Sequence, residues 1–419
     1  MKTITLTIIA LLMSASSFAF SGGNGKQADP YLISSKADWE EFARMEGESA
    51  GMHFLLTEDL TGEPYISISR PAFSGHFDGG GHELEVKLGF GPFGTLKAGA
   101  LIENLTVSGT IAGTYAGYVY AGGICDRMDA NTTIRRCHNK ADINIGNSNM
   151  GHIGGIVGAG LGLIENCSNS GSLTCNGSYI YIGGIIGLAS AATISNCYNI
   201  GDVIATGYNS YAGGICGRGS SSVIQNCFAA NERITCTTGG RIVSSKSENT
   251  ITNCYALESM TVNGNWAVAE NTASEKNGLD ATLSDFQSQS WIEQNLGWDF
   301  EEIWQIADNS FPSLQPGYGS DPGTDPDPDP DPDPDPDPDP NPDGVEAAAL
   351  PALPSLSVRS SAEGLRLSGL RPGDDIKVYS IAGQLIYICK ATATEQLVPL
   401  SERGIVIVAS GGRSAKAVL

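Results

Sequence analysis

The chain is 419 residues long and carries a formal charge of −22, from 46 acidic and 24 basic side chains. A surface this acidic repels nucleic-acid phosphates and anionic lipid headgroups, so neither is expected as a partner. The excess is uneven: ten aspartates lie between Asp321 and Asp343, leaving −12 for the rest of the precursor.

Lys2 precedes an apolar run from Ile4 to Met13, and Ser17-Phe18-Ala19 forms a small-x-small cleavage site. Residues 1–19 therefore read as a secretory signal peptide whose apolar stretch is too short to cross a bilayer. No cysteine stands directly after Ala19, and no other apolar run has the length of a membrane-spanning segment. The mature protein is expected to be secreted, held at the cell surface or associated with the outer membrane.

Residues 20–100 read as an N-terminal cap with its leading strands. Ser35 and Asp38 have the spacing of a helix N-cap and capping box, and Trp39, Phe42 and Met45 would form the helix's apolar face. A stacked array leaves an open core at each end, which such an element closes.

From 101 to 256 one phrase recurs. It reads Ile164-Glu165-Asn166-Cys167, Ile194-Ser195-Asn196-Cys197, Ile224-Gln225-Asn226-Cys227 and Ile251-Thr252-Asn253-Cys254, with a weaker copy at Ile134-Arg135-Arg136-Cys137. Before the first four of these five copies in the chain stands Gly-Gly-Ile, at 122–124, 154–156, 183–185 and 213–215. A fixed period near thirty residues, built from short β-branched segments, predicts a parallel β-solenoid, with the first coil at Gly91–Gly94 and Ile102–Leu105. The asparagines Asn104, Asn166, Asn196, Asn226 and Asn253 are expected at a bend, with their amides bonded from coil to coil. Cys125, Val157, Ile186 and Cys216 share a column, so cysteine is expected to serve as a small buried hydrophobe. Cys175, Ile204 and Cys236 are expected to do likewise. The column geometry predicts mostly reduced, buried thiols, because stacked cysteines point the same way.

The blocks Gly154-Gly155-Ile156-Val157-Gly158, Gly183-Gly184-Ile185-Ile186-Gly187 and Gly213-Gly214-Ile215-Cys216-Gly217, each followed by Ile-x-Asn-Cys, resemble the GLUG motif of bacterial surface proteins. The flanks Asp29–Ser34, Phe73–His82 and Leu296–Leu314 are similar to the beginning and end of such arrays. The resemblance spans roughly residues 24 to 316 and implies the solenoid fold without naming a ligand.

Residues 257–316 are expected to cap the far end, with a helix around Leu283 to Gln294. Residues 317–344 form an Asp-Pro-rich linker, whose composition favours an extended spacer. Residues 345–419 hold short alternating strands and are expected to form a small β-sandwich. The run Val378–Leu385, with Leu400, Gly404–Val408 and Lys416–Val418, resembles the C-terminal sorting domain of type IX secretion substrates, although Val406 stands where that family usually carries tyrosine. The resemblance implies recognition by an export machinery.

Catalysis on polysaccharides, by a lyase or hydrolase, is the rival expectation for a β-solenoid, and it requires paired acids or a metal. The acids between Leu101 and Met260 are sparse. Glu103 and Glu165 share a column with Ser195, Gln225 and Thr252, which reads as a variable solvent position. His82-Glu83 lacks the second histidine of a zinc-protease motif, and His76, Asp78 and His82 read as parts of a glycine-rich turn. His138 and His152 read as isolated. No cofactor, metal site or active site is expected. The expectation is a non-catalytic, adhesin-like binding or scaffold module, with Tyr115, Tyr118, Tyr120, Tyr179, Tyr181, Tyr208 and Tyr211 forming a stripe for a glycan or surface-protein ligand.

Overall fold

The computed structural model describes residues 20–45, 49–65, 72–245, 248–266 and 272–316, and in the C-terminal region 357–361, 364–368, 370, 375–380, 385–399, 405–410 and 413–418. The signal peptide expected at 1–19 and the linker expected at 317–344 lie outside the described residues. The chain divides into two compact units, Met1–Asp329 and Pro330–Leu419.

The first unit is a parallel β-solenoid whose coils contribute to two long sheets, of 13 and 17 strands. One column fixes the register of the first sheet: Phe54, Phe77, Ile102, Ile134, Ile164, Ile194, Ile224 and Ile251 pair in succession and are all buried. Tyr31 extends that column by one rung. The stack therefore starts well before Gly91. Its early coils escape the repeat pattern because phenylalanine replaces isoleucine and the Asn-Cys phrase is missing.

The Gly-Gly block has a steric cause. At the first glycine (Gly154, for example) a Cβ would collide with the carbonyl oxygen of Val157 three residues on. At the second, Gly155, it would collide with the carbonyl of Gly184 in the next coil and with the side chain of Asn169. Gly123 stands in the same relation to Asn139, and Gly184 to Asn199.

Those asparagines form a ladder inside the core that the repeat phrase does not include. Asn139 Nδ2 donates to Asn169 Oδ1 at 2.7 Å, Asn169 to Asn199 at 2.7 Å, and Asn199 to Asn231 at 3.3 Å. Each amide also donates to the carbonyl two residues on in its own coil, Ala141, Gly171 and Gly201. All four side chains are fully buried, and such a chain is stable only when every member is satisfied.

The asparagines of the repeat phrase mark the expected bend. Asn104, Asn166, Asn196, Asn226 and Asn253 have φ between 53° and 55°, a left-handed conformation that asparagine tolerates. Asn253 donates to Asn226 at 3.0 Å and Asn226 to Asn196 at 3.3 Å. Cys137, Cys167, Cys197, Cys227 and Cys254 follow that bend and point into the core, where each thiol donates to the isoleucine carbonyl of the coil before. All ten cysteines are free, and eight are buried. The column holding Cys125, Val157, Ile186 and Cys216 is formed as expected. The other is corrected: Cys175 pairs with Ala205, while Ile204 pairs with Thr174 and Thr235 one position earlier. Strand alternation then turns Ile204 away from the core, and Cys236 is only half-buried.

Helix Lys36–Arg44 closes the N-terminal end. Ser35 caps it by accepting from Asp38 N, and Trp39 and Phe42 pack on Phe77 and Phe93. At the other end the helix expected near 283–294 is two, Leu283–Phe286 and Gln289–Leu296, because Ser288 interrupts the first and caps the second. Residues 298–316 then run back along the flank. Trp298 Nε1 donates to Asn226 O at 2.9 Å, Tyr198 Oη bonds Pro312 O, and Phe311 stacks near Tyr198.

The second unit is a small β-sandwich. Its sheets are Ser357–Ser361, Gly364–Ser368 and Glu395–Val398, and Leu385–Lys390, Asp375–Ser380, Ile405–Ser410 and Arg413–Val418, all antiparallel. Leu365, Leu367, Ile376, Val378, Val398 and Val408 meet in one core.

Asn169→Leu should destabilise the protein by about 3 kcal/mol, since it strands the amide of Asn139 and the carboxamide oxygen of Asn199. Urea unfolding of the variant against wild type checks this; an unchanged midpoint would show that the ladder contributes nothing.

Candidate functional site

The strands Tyr118–Gly122, Asp142–Gly154, Leu173–Gly183 and Val203–Gly213 stack in parallel, so alternate side chains face outward. Two outward columns result. One is Tyr118, Met150, Tyr179 and Asn209, in which Tyr118 is 67% and Tyr179 46% exposed. The other is Tyr120, His152, Tyr181 and Tyr211, with successive ring centroids 4.9, 5.0 and 5.4 Å apart.

The structure thus brings together five of the seven expected tyrosines. Tyr115 stands apart: it packs on Phe90 and donates from Oη to Gly89 O at 2.7 Å, which makes it a structural anchor. Tyr208, 91% exposed, belongs to neither column. His152, read from sequence as isolated, is an integral rung. Burial and then the nearby Arg127 push its pKa down to about 4, so the imidazole is neutral where it lies between two phenol rings.

Sequence reasoning missed the arginines. Arg127, Ala159, Leu188 and Arg218 form a column on the other side of the Gly-Gly corner. The Arg127 guanidinium sits 4.9 Å from the Tyr120 ring centroid, and that of Arg218 lies 5.3 Å and 5.1 Å from those of Tyr181 and Tyr211. Arg218 Nη1 also donates to Tyr181 Oη at 3.1 Å. The two columns lean together across the Gly-Gly corner and run along the solenoid as one aromatic and cationic strip. At its Arg218 end lies a cleft of about 290 Å³ bordered by Tyr211, Ser220, Ser244, Ser245 and Glu248.

A polar cluster occupies the first coils. Glu103, expected in a solvent column, is buried: it accepts from His76 Nε2 at 2.6 Å, Arg135 Nε at 2.8 Å and Arg136 Nη2 at 2.6 Å. The column reading failed because Arg135 is the rung next to Glu103 and His76 the residue two before its other neighbour, Asp78. Burial opposes the Glu103 charge, but the bonds from His76 and Arg135 outweigh it and hold its pKa at about 2. Because that carboxylate only accepts, His76 Nε2 carries a proton, and Nδ1 faces His53 Nδ1 at 3.1 Å. Asp78, raised chiefly by burial, accepts from Gly80 N and Asn104 Nδ2 and so closes the turn. His138 is also built in, between the hydroxyls of Ser168 and Ser170, beside a cavity of about 300 Å³ roofed by Pro312–Pro316. Burial, then Lys140, lowers its pKa to about 4.

Among the described residues no three His, Cys, Asp or Glu side chains are placed to share a metal ion. Burial pushes the thiol of Cys216 up to about 12 and that of Cys125 higher still, so neither is a nucleophile. No helix among the described residues is long and apolar enough to cross a membrane.

Comparison with known proteins bears on the fold and the repeat. Residues 178–204 match the GLUG motif family. Over 115 residues the chain is 30% identical to a protein of Evansella cellulosilytica named as a Gly-rich membrane protein, a match covering 23% of this chain and 13% of the relative. The chain thus spans about an eighth of the length of that curated relative. A Bacteroides ovatus crystal structure named for an immunoglobulin A1 protease superposes with a TM-score of 0.55 at 22% identity, covering 71% of this chain and 95% of that one. At that identity the likeness is one of fold.

The Glu103 carboxyl falls from an ordinary 4.5 to about 2 on folding. A depressed acid stabilises the fold above its unfolded value and loses that contribution as pH falls through the folded one. Glu103→Gln should cost about 3 kcal/mol at neutral pH and flatten the acid limb between about pH 5 and 2. Urea midpoints measured across that range test it, and parallel acid limbs would contradict the assignment.

Proposed function

We propose that this is an exported β-solenoid that binds a glycan or a surface protein through its tyrosine-bearing flank and performs no chemistry there. The supporting observation is the pair of outward columns: Tyr118 and Tyr179 are exposed two coils apart, next to an aromatic ladder held in place beneath arginines. Flat rings fixed at rung spacing present contact area at little entropic cost. The C-terminal sandwich acts as the address read by the export machinery, in keeping with its likeness to sorting domains.

One observation favours a catalytic reading. Asp78 and Glu103 lie on neighbouring strands, with one carboxyl raised and the other lowered, as in paired acids that divide acid and base roles. Against it, Glu103 is 5% exposed and already accepts from two guanidinium groups and an imidazole. Release of new reducing or unsaturated ends from a polysaccharide by wild type, lost in Glu103→Gln, would establish the enzyme.

The double variant Tyr118→Ser/Tyr179→Ser should bind ligand roughly tenfold more weakly with an unchanged melting temperature. Tyr115→Ser should instead lower the melting temperature alone. Undiminished binding by the first variant would remove the flank as the ligand surface. The intact mass of protein shed by producing cells should lack residues 1–19 and 345–419; retention of Leu419 would make the last domain part of the working protein.

A further inference from the structure

The charge pattern of this strip points to its ligand. Among the described residues of the solenoid unit, every other arginine pairs with a carboxylate: Arg44 with Glu40 and Glu41, Arg135 and Arg136 with Glu103, Arg233 with Asp202, and Arg241 with Asp280. Arg127 and Arg218 pair with none; their partners are tyrosine rings and one phenol oxygen. Both are exposed and stand in one column, three coils apart, with Ala159 and Leu188 between them. At ~4.8 Å per rung the two charges are about 14 Å apart along the axis. An acidic chain with few cations to spare leaves these two without a carboxylate and holds them over aromatic rings, where the planar fork is pre-organised for an anion.

We infer that this strip takes an acidic polysaccharide, with carboxylate or sulfate groups on Arg127 and Arg218 and sugar faces against the tyrosine columns. This rests on the binding reading above and specifies its ligand. A linear polymer suits columns that cross four coils. The hydroxyls of Ser220, Ser244 and Ser245, with Glu248, suit sugar hydroxyls in the cleft at the end. Glu248 accepts from Ser220 at 3.1 Å, so the anion belongs on the tyrosine side of Arg218, away from that carboxylate. An acidic peptide fits less well, because this flank is a sheet face and offers no strand edge to pair with a peptide backbone.

The test uses the full chain and titrates it with polygalacturonate, heparin, neutral dextran and poly-glutamate. Wild type should bind at least one of the two acidic polysaccharides about tenfold or more tighter than dextran, with an affinity that falls as salt rises. Arg127→Gln/Arg218→Gln should lose about tenfold or more of that affinity at an unchanged melting temperature. A preference for polygalacturonate or for heparin identifies the anionic group as carboxylate or sulfate. Equal binding of dextran, equal binding by the arginine variant, or binding of poly-glutamate alone would overturn the inference. If the arginine variant binds normally while the Tyr118/Tyr179 variant does not, only the anionic ligand falls; if both bind normally, the flank itself is excluded.

Discussion

The buried amide ladder from Asn139 through Asn169 and Asn199 to Asn231 is the constraint around which the solenoid is arranged. A polar side chain in an apolar core is tolerated only when each of its groups finds a partner. Here the partner is an asparagine one coil away, which fixes the register of the four coils that the ladder crosses. A slip of one residue would strand three amides and turn every core side chain outward. The second glycine of the first three Gly-Gly pairs makes room for this ladder, as the collisions of Gly123, Gly155 and Gly184 with the three asparagines show. What looks like a glycine motif is half of a glycine–asparagine pair.

Much of this was legible. The Ile-x-Asn-Cys phrase gave the period, the bend and the inward thiols, because each coil solves the same steric problem with the same residues. The ladder itself was within reach: Cys137-His138-Asn139, Cys167-Ser168-Asn169 and Cys197-Tyr198-Asn199 repeat an asparagine two after the cysteine. Its lapse to Ala229 and Ala256 in the last copies hid it. The first coils were harder, since Phe54 and Phe77 hold the isoleucine column with no accompanying phrase.

The candidate site was legible only in part. Clusters of tyrosine pointed to one flank, but strand alternation and register, invisible in spacing alone, separate Tyr115 and Tyr208 from the columns and put His152 into them. Arg127 and Arg218 carry no motif. They matter because the Gly-Gly corner folds one strand's outward face toward the next, which brings together residues seven positions apart in the first of these coils. Glu103 was misread for a related reason. Its environment is set by His76, a coil earlier, and Arg135, a coil later, and a single column cannot show both.

The returning arm has a mechanical consequence. Solenoids behave as one-dimensional stacks in which the last rung is the weakest. Here the chain does not leave from that rung. It passes back over the flank, fixed by Trp298 on Asn226 and by Tyr198 on Pro312, before it reaches residue 317. A pull on the chain beyond that point would load several coils in shear across their aromatic contacts, whereas an exit from the final strand would peel the stack open one rung at a time.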